Sequence, residues 1–170
     1  PTELAFVSMA AGKAYRKEEL LRQHPRLSEL PFDSDRKCMS TIHRQDNRCV
    51  VFTKGALDVL LTRANLSPAE NARWQEAADH MAARGLRVLG FAMKELEKVP
   101  DNPAPENVET GLTMLGFAGL IDPPRTEVKQ AVAECKTAGV QPVMITGDHV
   151  LTAQAIAAEL GILEEGNGQV

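Results

Sequence analysis

Two consecutive prolines, Pro123 and Pro124, stand directly behind an apolar run from Met114 to Ile121. Proline fixes φ and has no N–H to donate, so neither a helix nor a sheet strand passes through Asp122-Pro123-Pro124-Arg125. The chain therefore divides near Leu120 to Arg125 into two parts joined by a crossing with little slack. With 170 residues and 44% hydrophobic content it can bury one core, or one domain plus part of another.

Ahead of the break the pattern is mixed. Leu4, Val7, Ser8 and Ala11 fall at helical spacing and Gly12 stops them. A short helix is expected over Lys17 to Gln23, and Pro25 and Pro31 then bracket an extended piece. Met39 to Arg44 and Arg48 to Thr53 read as strands around the polar turn Gln45-Asp46-Asn47. Leu57 to Ala64 is a short helix. Ser67, Pro68 and Glu70 occupy N-cap, N1 and N3 of a longer one that runs to about Arg84 and stops at Gly85. Leu86 to Met93 follows as an apolar strand, and the proline-bearing stretch Lys94 to Gly111 reads mostly as a surface loop.

The last third changes character. A buried-type strand over Met114 to Ile121, a helix with Val128, Ala131, Val132 and Cys135 on one face, a short strand at Val143-Met144-Ile145 and a helix from Val150 to Leu160 succeed one another. Strand, helix, strand, helix predicts a right-handed parallel α/β unit, against an α+β region with antiparallel hairpins before it.

Composition removes several function classes. The net charge of −4 is spread over interspersed acids and bases, with no basic stripe for nucleic acid. Cys38, Cys49 and Cys135 are odd in number and lack C-x-x-C spacing, which argues against a disulfide framework or a zinc site. His24, His43, His80 and His149 show no metal-ligand spacing, and no metal site is expected. No signal peptide is visible, and Met114 to Ile121 is far short of the roughly 20 residues of a membrane helix. Pro1-Thr2-Glu3-Leu4 enters a helical pattern with no leader, which reads as an internal cut.

Three segments carry possible chemistry, and each has a plain alternative. In Val143 to Asp148 an apolar strand ends in a short loop that opens a helix, a place where free N–H groups and the helix dipole suit a phosphate; it is equally an ordinary turn with Asp148 as N-cap. Asp122 to Arg125 is a rigid hinge whose arginine meets a carboxylate or phosphate, or simply solvent. Phe32 to Lys37 sets one aromatic beside two bases, and Lys54-Gly55-Ala56 ends a strand with a lysine and a close-approach glycine. A ring for stacking and ammonium groups for phosphates suit a nucleotide; a core phenylalanine with exposed strand lysines is the alternative.

Taken in order, FDSDRKCMS (32–40), Lys54-Gly55-Ala56, GLIDPPR (119–125) and VMITGDHVLTAQAIAAELGI (143–162) resemble cation-pumping P-type ATPases, particularly the calcium-pump branch and its bacterial relatives. The resemblance implies an α+β fold: a twisted antiparallel sheet flanked by helices as nucleotide-binding domain over residues 1–120, its N-terminal edge truncated. A hinge and part of a haloacid-dehalogenase-like phosphorylation domain then occupy residues 121–170. It implies that Glu3 meets the adenine amino group, Phe32 stacks on adenine, and Lys37, Lys54 and Gly55 belong to the pocket. Arg87 reaches the phosphates or ribose; Thr146, Gly147 and Asp148 face the terminal phosphate; Asp122 and Arg125 form the hinge. ATP and Mg2+ are the implied cofactors, the ion being held mainly by residues absent from this chain.

The implied setting is the cytoplasmic part of a multi-pass cell-membrane pump, partnered by its own phosphorylation, actuator and transmembrane domains, with calcium as the leading ion. The family's Asp-Lys-Thr-Gly-Thr and Gly-Asp-Gly segments do not occur in the chain, so it is expected to bind ATP without hydrolysing it. Asp33 and Ser34 replace a Ser-Arg pair of some calcium pumps. The other readings are a haloacid-dehalogenase-like phosphatase fragment and a stand-alone nucleotide-sensing module.

Overall fold

The computed structural model describes residues 2–121, 124–147 and 150–163. Its centre is a five-stranded sheet in the order β1-β2-β3-β4-β5, with β1 Arg26–Asp33, β2 Cys38–Gln45, β3 Arg48–Ala56, β4 Arg87–Leu96 and β5 Thr113–Leu120. The sheet is antiparallel and flanked by helices, the α+β class expected from sequence. The helices are α1 Thr2–Gly12, α2 Lys17–Gln23, α3 Leu57–Arg63, α4 Pro68–Ala82, α5 Pro105–Val108, α6 Thr126–Thr137 and α7 Val150–Glu159.

Period-two alternation decides the sheet. In β2, Cys38, Ser40 and Ile42 are buried while Met39, Thr41 and His43 are half-buried. Their partners across the register are Gly55, Thr53 and Val51 of β3, and behind those lie Gly90, Ala92 and Lys94 of β4. This face carries the core, in two clusters. One joins Leu30, Ile42, Cys49, Val51 and Val108; the other joins Cys38, Leu60 of α3, Ala92 and Leu112. The opposite face presents Lys54 beside Met39 and Phe91, and α1 lies on it through Phe6, whose ring meets Phe91 edge-on at 5.2 Å.

Several local expectations hold. The β2–β3 turn falls at Asp46 and Asn47, with Asp46 at φ 51°. The Ser67 capping box forms: its N–H and hydroxyl donate to Glu70 at 2.8 and 2.6 Å, and the Glu70 N–H donates back to the Ser67 hydroxyl at 3.3 Å. Gly85 takes φ 77° just past the end of α4, which only glycine does without strain.

Four expectations are corrected. The extended piece after Pro25 is a full edge strand; Pro31 is tolerated because it sits on the outer strand, where the register slips between Leu30 and Asp33. Helix α1 forms, but Thr2, Phe6 and Ala10 face inward while Leu4 and Val7 are exposed; a helix apolar on every side does not itself select a face. The stretch Lys94–Gly111 is not mainly surface loop, since α5 folds within it and both Val108 and Glu109 are fully buried. Behind the prolines no parallel α/β unit forms among the described residues. Met114 to Leu120 lies in β5 of the antiparallel sheet, and Val143-Met144-Ile145 is not a strand. Val143 and Ile145 are 76% and 94% exposed: an apolar strand with no neighbouring strand has nothing to satisfy its ladder.

The chain forms two compact units, one of residues 1–71 and 89–117, the other of residues 72–88 and 118–170. The first holds the core just described. In the second, α7 docks by the Thr152 hydroxyl, which donates to the Leu86 carbonyl at 3.2 Å, and Gly119 lies against Leu86 and Met81. A cavity of about 260 Å³ in this unit is lined by Ala83, Arg84, Gly85, Ile121, Pro124, Ala155, Ile156 and Glu159.

Gly55 is where backbone approach is tightest. A Cβ there would lie 2.5 Å from both the Cys38 Cβ and the Lys37 carbonyl oxygen. Gly55→Ala should therefore lower stability by about 2–3 kcal/mol, at the upper end of overpacking effects, read as a reduced urea midpoint with unchanged m-value.

Candidate functional site

Five of the sequence-predicted residues gather at one end of the sheet in the first unit. Phe32 is the last residue but one of β1, Lys37 lies in the β1–β2 turn, and Lys54 and Gly55 directly precede Ala56 at the end of β3. The register brings Asp33 opposite Cys38, Cys38 opposite Gly55 and Met39 opposite Lys54, while the Ala56 N–H donates to the Lys37 carbonyl at 3.0 Å. Glu3 reaches the same place from α1 and forms an ion pair with the Lys54 ammonium. Lys54 also lies 5.9 Å from the centre of the Phe6 ring. Its side chain is only 19% exposed while that of Glu3 is 71% exposed, so a shielded cation meets a solvated anion.

Phe32 is not a core phenylalanine: it is 64% exposed, an aromatic face open to solvent beside exposed Lys37. The turn between them is built by Asp33, whose carboxylate accepts the N–H groups of Asp35 at 2.9 Å and Arg36 at 2.8 Å. The Arg36 N–H bond, aided by that from Asp35 and by the Arg36 charge, holds the Asp33 carboxyl below its usual range despite some desolvation. Lys37 completes the turn at φ 51°.

The remaining predicted residues belong to the second unit. Arg87 opens β4 and is exposed. Arg125 is the exposed N-cap residue of α6, with extended backbone and no side-chain cap bond. Thr146 and Gly147 are exposed ahead of α7, whereas Asp122 and Asp148 lie outside the described residues.

Beneath the turn lies a cluster that sequence reasoning passed over. Glu109, at the C-terminus of α5, is fully buried, and its carboxylate collects four donors. Arg36 Nη1 and the Ser40 hydroxyl donate to Oε1 at 2.5 and 2.9 Å; Arg63 Nη1 and the Cys38 thiol donate to Oε2 at 2.6 and 3.4 Å. The Thr53 hydroxyl lies 2.9 Å from that of Ser40. Among the described residues no buried side-chain N or O atom lacks a hydrogen-bond partner. Burial pushes the Glu109 carboxyl towards neutrality, but the Arg36 hydrogen bond, the Ser40 hydroxyl and the Arg36 charge outweigh it, and the group stays below the ordinary value. The same bond holds Arg36 more firmly protonated. Burial, then the Glu109 charge, push the Cys38 thiol up to about 11, so it is neutral and unreactive near pH 7. No sequence signal marked this cluster, since the proline-bearing stretch that holds Glu109 read mostly as surface loop.

With this geometry in hand, comparison with known proteins is decisive: residues 1–127 match the family described as P-type ATPase, cytoplasmic domain N. The chain belongs to that family. The P-type ATPase domain N match covers every element of the first unit. Similar proteins include a calcium-transporting ATPase of Bacillus cereus, 45% identical over 97% of this chain, and a cation-transporting ATPase of Synechocystis, 42% identical over 99%. A probable cation-transporting P-type ATPase of Mycoplasma genitalium is 42% identical over the whole chain. The chain spans about a fifth of the length of these relatives.

Glu109→Gln would leave Arg36 and Arg63 without their anion. Because both arginine side chains are about one-fifth exposed, the expected loss is about 3 kcal/mol, at the low end for breaking a buried pair. The folded-state pKa of Glu109 lies below its ordinary 4.5. Its contribution is thus complete above about pH 4.5 and disappears as pH falls through the lower folded value. Melting curves between neutral and acid pH should show the wild type losing stability below about pH 4.5 more steeply than Glu109→Gln.

Proposed function

We propose that this chain binds ATP at the sheet end marked by Phe32, Lys37, Lys54, Gly55 and Glu3, as the cytoplasmic nucleotide-binding part of an ATP-driven, cation-transporting membrane pump. The observation that carries the reading is the convergence there of one open aromatic face, two lysines and one carboxylate, in a chain of the P-type ATPase domain N family. Phe32 offers a stacking surface, and base stacking is worth about 1–3 kcal/mol. Glu3 is an acceptor for the adenine amino group, and Lys37 and Lys54 supply positive charge. Gly55 keeps the strand end free of a side chain.

Glu3 and Lys54 pair with one another at this sheet end. The Glu3 carboxylate is largely solvated and has two oxygens, so it has acceptor capacity left for an adenine amino group while it keeps its pairing with the shielded Lys54. One stacked ring and a few solvated contacts must still overcome the entropy of association, which gives a dissociation constant of about 0.1–1 mM.

Arg87, Thr146, Gly147 and Asp148 are assigned to the phosphate side, and Asp122 and Arg125 to the hinge between residues 1–120 and a phosphorylation-domain segment from 121. The parent enzyme on this reading is a P-type ATPase; its phosphorylation, actuator and membrane domains are the remaining partners, and this chain alone does not turn ATP over. Calcium is the favoured ion, since relatives in Bacillus cereus and Bacillus subtilis are named calcium-transporting ATPases. Among the described residues no helix is long and apolar enough to cross a membrane. No three His, Cys, Asp or Glu side chains converge among them either; magnesium is assigned mainly to residues of the parent pump outside this chain.

The test is an ATP titration of the chain followed by NMR chemical shifts. Saturable shifts centred on Glu3, Phe32, Lys37 and Lys54 are expected, with affinity falling about ten-fold in Phe32→Ala, the equivalent of one stacking contact. Absence of shifts up to about ten times the expected dissociation constant rejects the reading.

A further inference from the structure

We propose that Arg36 and Glu109 act together as positioning residues for this nucleotide site, fixing where Phe32 and Lys37 stand without touching the nucleotide; the inference rests on the ATP-binding reading above. The guanidinium of Arg36 is a two-ended clamp. Nη1 donates to the buried Glu109 carboxylate at 2.5 Å, and Nη2 donates to the Pro31 carbonyl at 2.6 Å. Pro31 is the backbone neighbour of Phe32, and Arg36 that of Lys37, so one planar fork ties both ends of the 31–37 segment to one buried anion.

The segment needs such a tie. The β1–β2 register slips between Leu30 and Asp33, so Pro31 and Phe32 fall outside the regular ladder that fixes the rest of β1. Phe32, 64% exposed, has little packing to hold its ring. The anchor end is rigid: Arg63 of α3 and Ser40 of β2 hold the Glu109 carboxylate, and Lys94 of β4 donates to the Thr110 and Asn107 carbonyls at 2.8 and 3.2 Å. A buried charge held from three elements is a fixed point, and the clamp transmits that position to the turn.

Arg36→Lys tests this, because a lysine ammonium can pair with Glu109 but cannot bridge to Pro31 with the same flat fork. Arg63→Lys is the control; it disturbs the same cluster and leaves the clamp intact. ATP titrations of the 170-residue chain and of both variants are run at a temperature where circular dichroism shows each fully folded. Arg36→Lys should weaken ATP binding about three- to ten-fold and shift the amides of Phe32 and Lys37 before any ATP is added. Arg63→Lys should lower the melting temperature while keeping affinity within about two-fold. Glu109→Gln, where it folds, should match Arg36→Lys. Wild-type affinity in Arg36→Lys overturns the inference, and so does an equal loss in Arg63→Lys, which would make stability the cause. Failure of the wild type to bind ATP overturns the binding reading and the inference with it.

Discussion

A carboxylate with no solvent exposure must be either neutral or surrounded by donors, and at Glu109 the fold takes the second course. Its partners come from the β1–β2 turn, the end of α3 and the middle of β2, elements far apart in sequence. Meeting that demand sets where α5 can sit and how closely α3 approaches the sheet. The Arg63 carbonyl accepts the Leu112 N–H at 3.0 Å, and the Leu112 carbonyl accepts from Asn65 at 2.8 Å. Around this polar centre the two apolar clusters close, one towards Leu30 and Val108, the other towards Leu60 and Leu112. The ion cluster adds little net stability over a well-packed apolar isostere; what it contributes is direction, because each oxygen accepts only from donors placed to reach it.

The two faces of the sheet then take different work. The face bearing Cys38, Ser40 and Gly55 is closed by α3 and the α5 region. The other face keeps its charge, since Lys54 follows Val50 and Phe52 at period two and meets Glu3 and Phe6 instead of a core. Gly55 links the faces: with no Cβ it lets β3 press against Cys38, which brings Lys54 level with the turn that carries Lys37.

What the sequence made legible was local or periodic. The alternation of Met39 to Thr53 specified the hairpin, Ser67 to Glu70 specified a helix start, and the motif around Phe32 and Lys54 pointed to one end of a sheet. What stayed hidden depended on partners remote in the chain. Nothing near Glu109 announces that Arg36 and Arg63 will reach it. Leu4, Phe6, Val7 and Met9 spread apolar surface around α1, and nothing in that pattern favours Phe6 over Leu4 and Val7 until Phe91 is beside it. Pro31 read as the far bracket of an extended piece, yet an edge position with a register slip lets β1 run on through it to Asp33. Val143 to Ile145 fails for the opposite reason: the local pattern is a good strand, but a parallel strand exists only with neighbours, and among the described residues it has none.

The same contrast bears on the proposed nucleotide site. Lys54 is shielded and would be costly to leave unpaired, whereas Glu3 is largely solvated and loses little when it turns to another partner. So lopsided a pair ties α1 to the end of β3 through its shielded member, while its solvated member keeps acceptor capacity for a further donor. Phe32 carries no such insurance; with most of its surface in water, its ring is presented by backbone geometry alone. A site of this kind gains affinity from the turn being held still rather than from additional contacts, since every rotamer already restrained is entropy that association does not have to remove. The buried Glu109 and the exposed Phe32 are thus two ends of one arrangement: the charge that the core tolerates is the means by which an unsupported ring keeps its place.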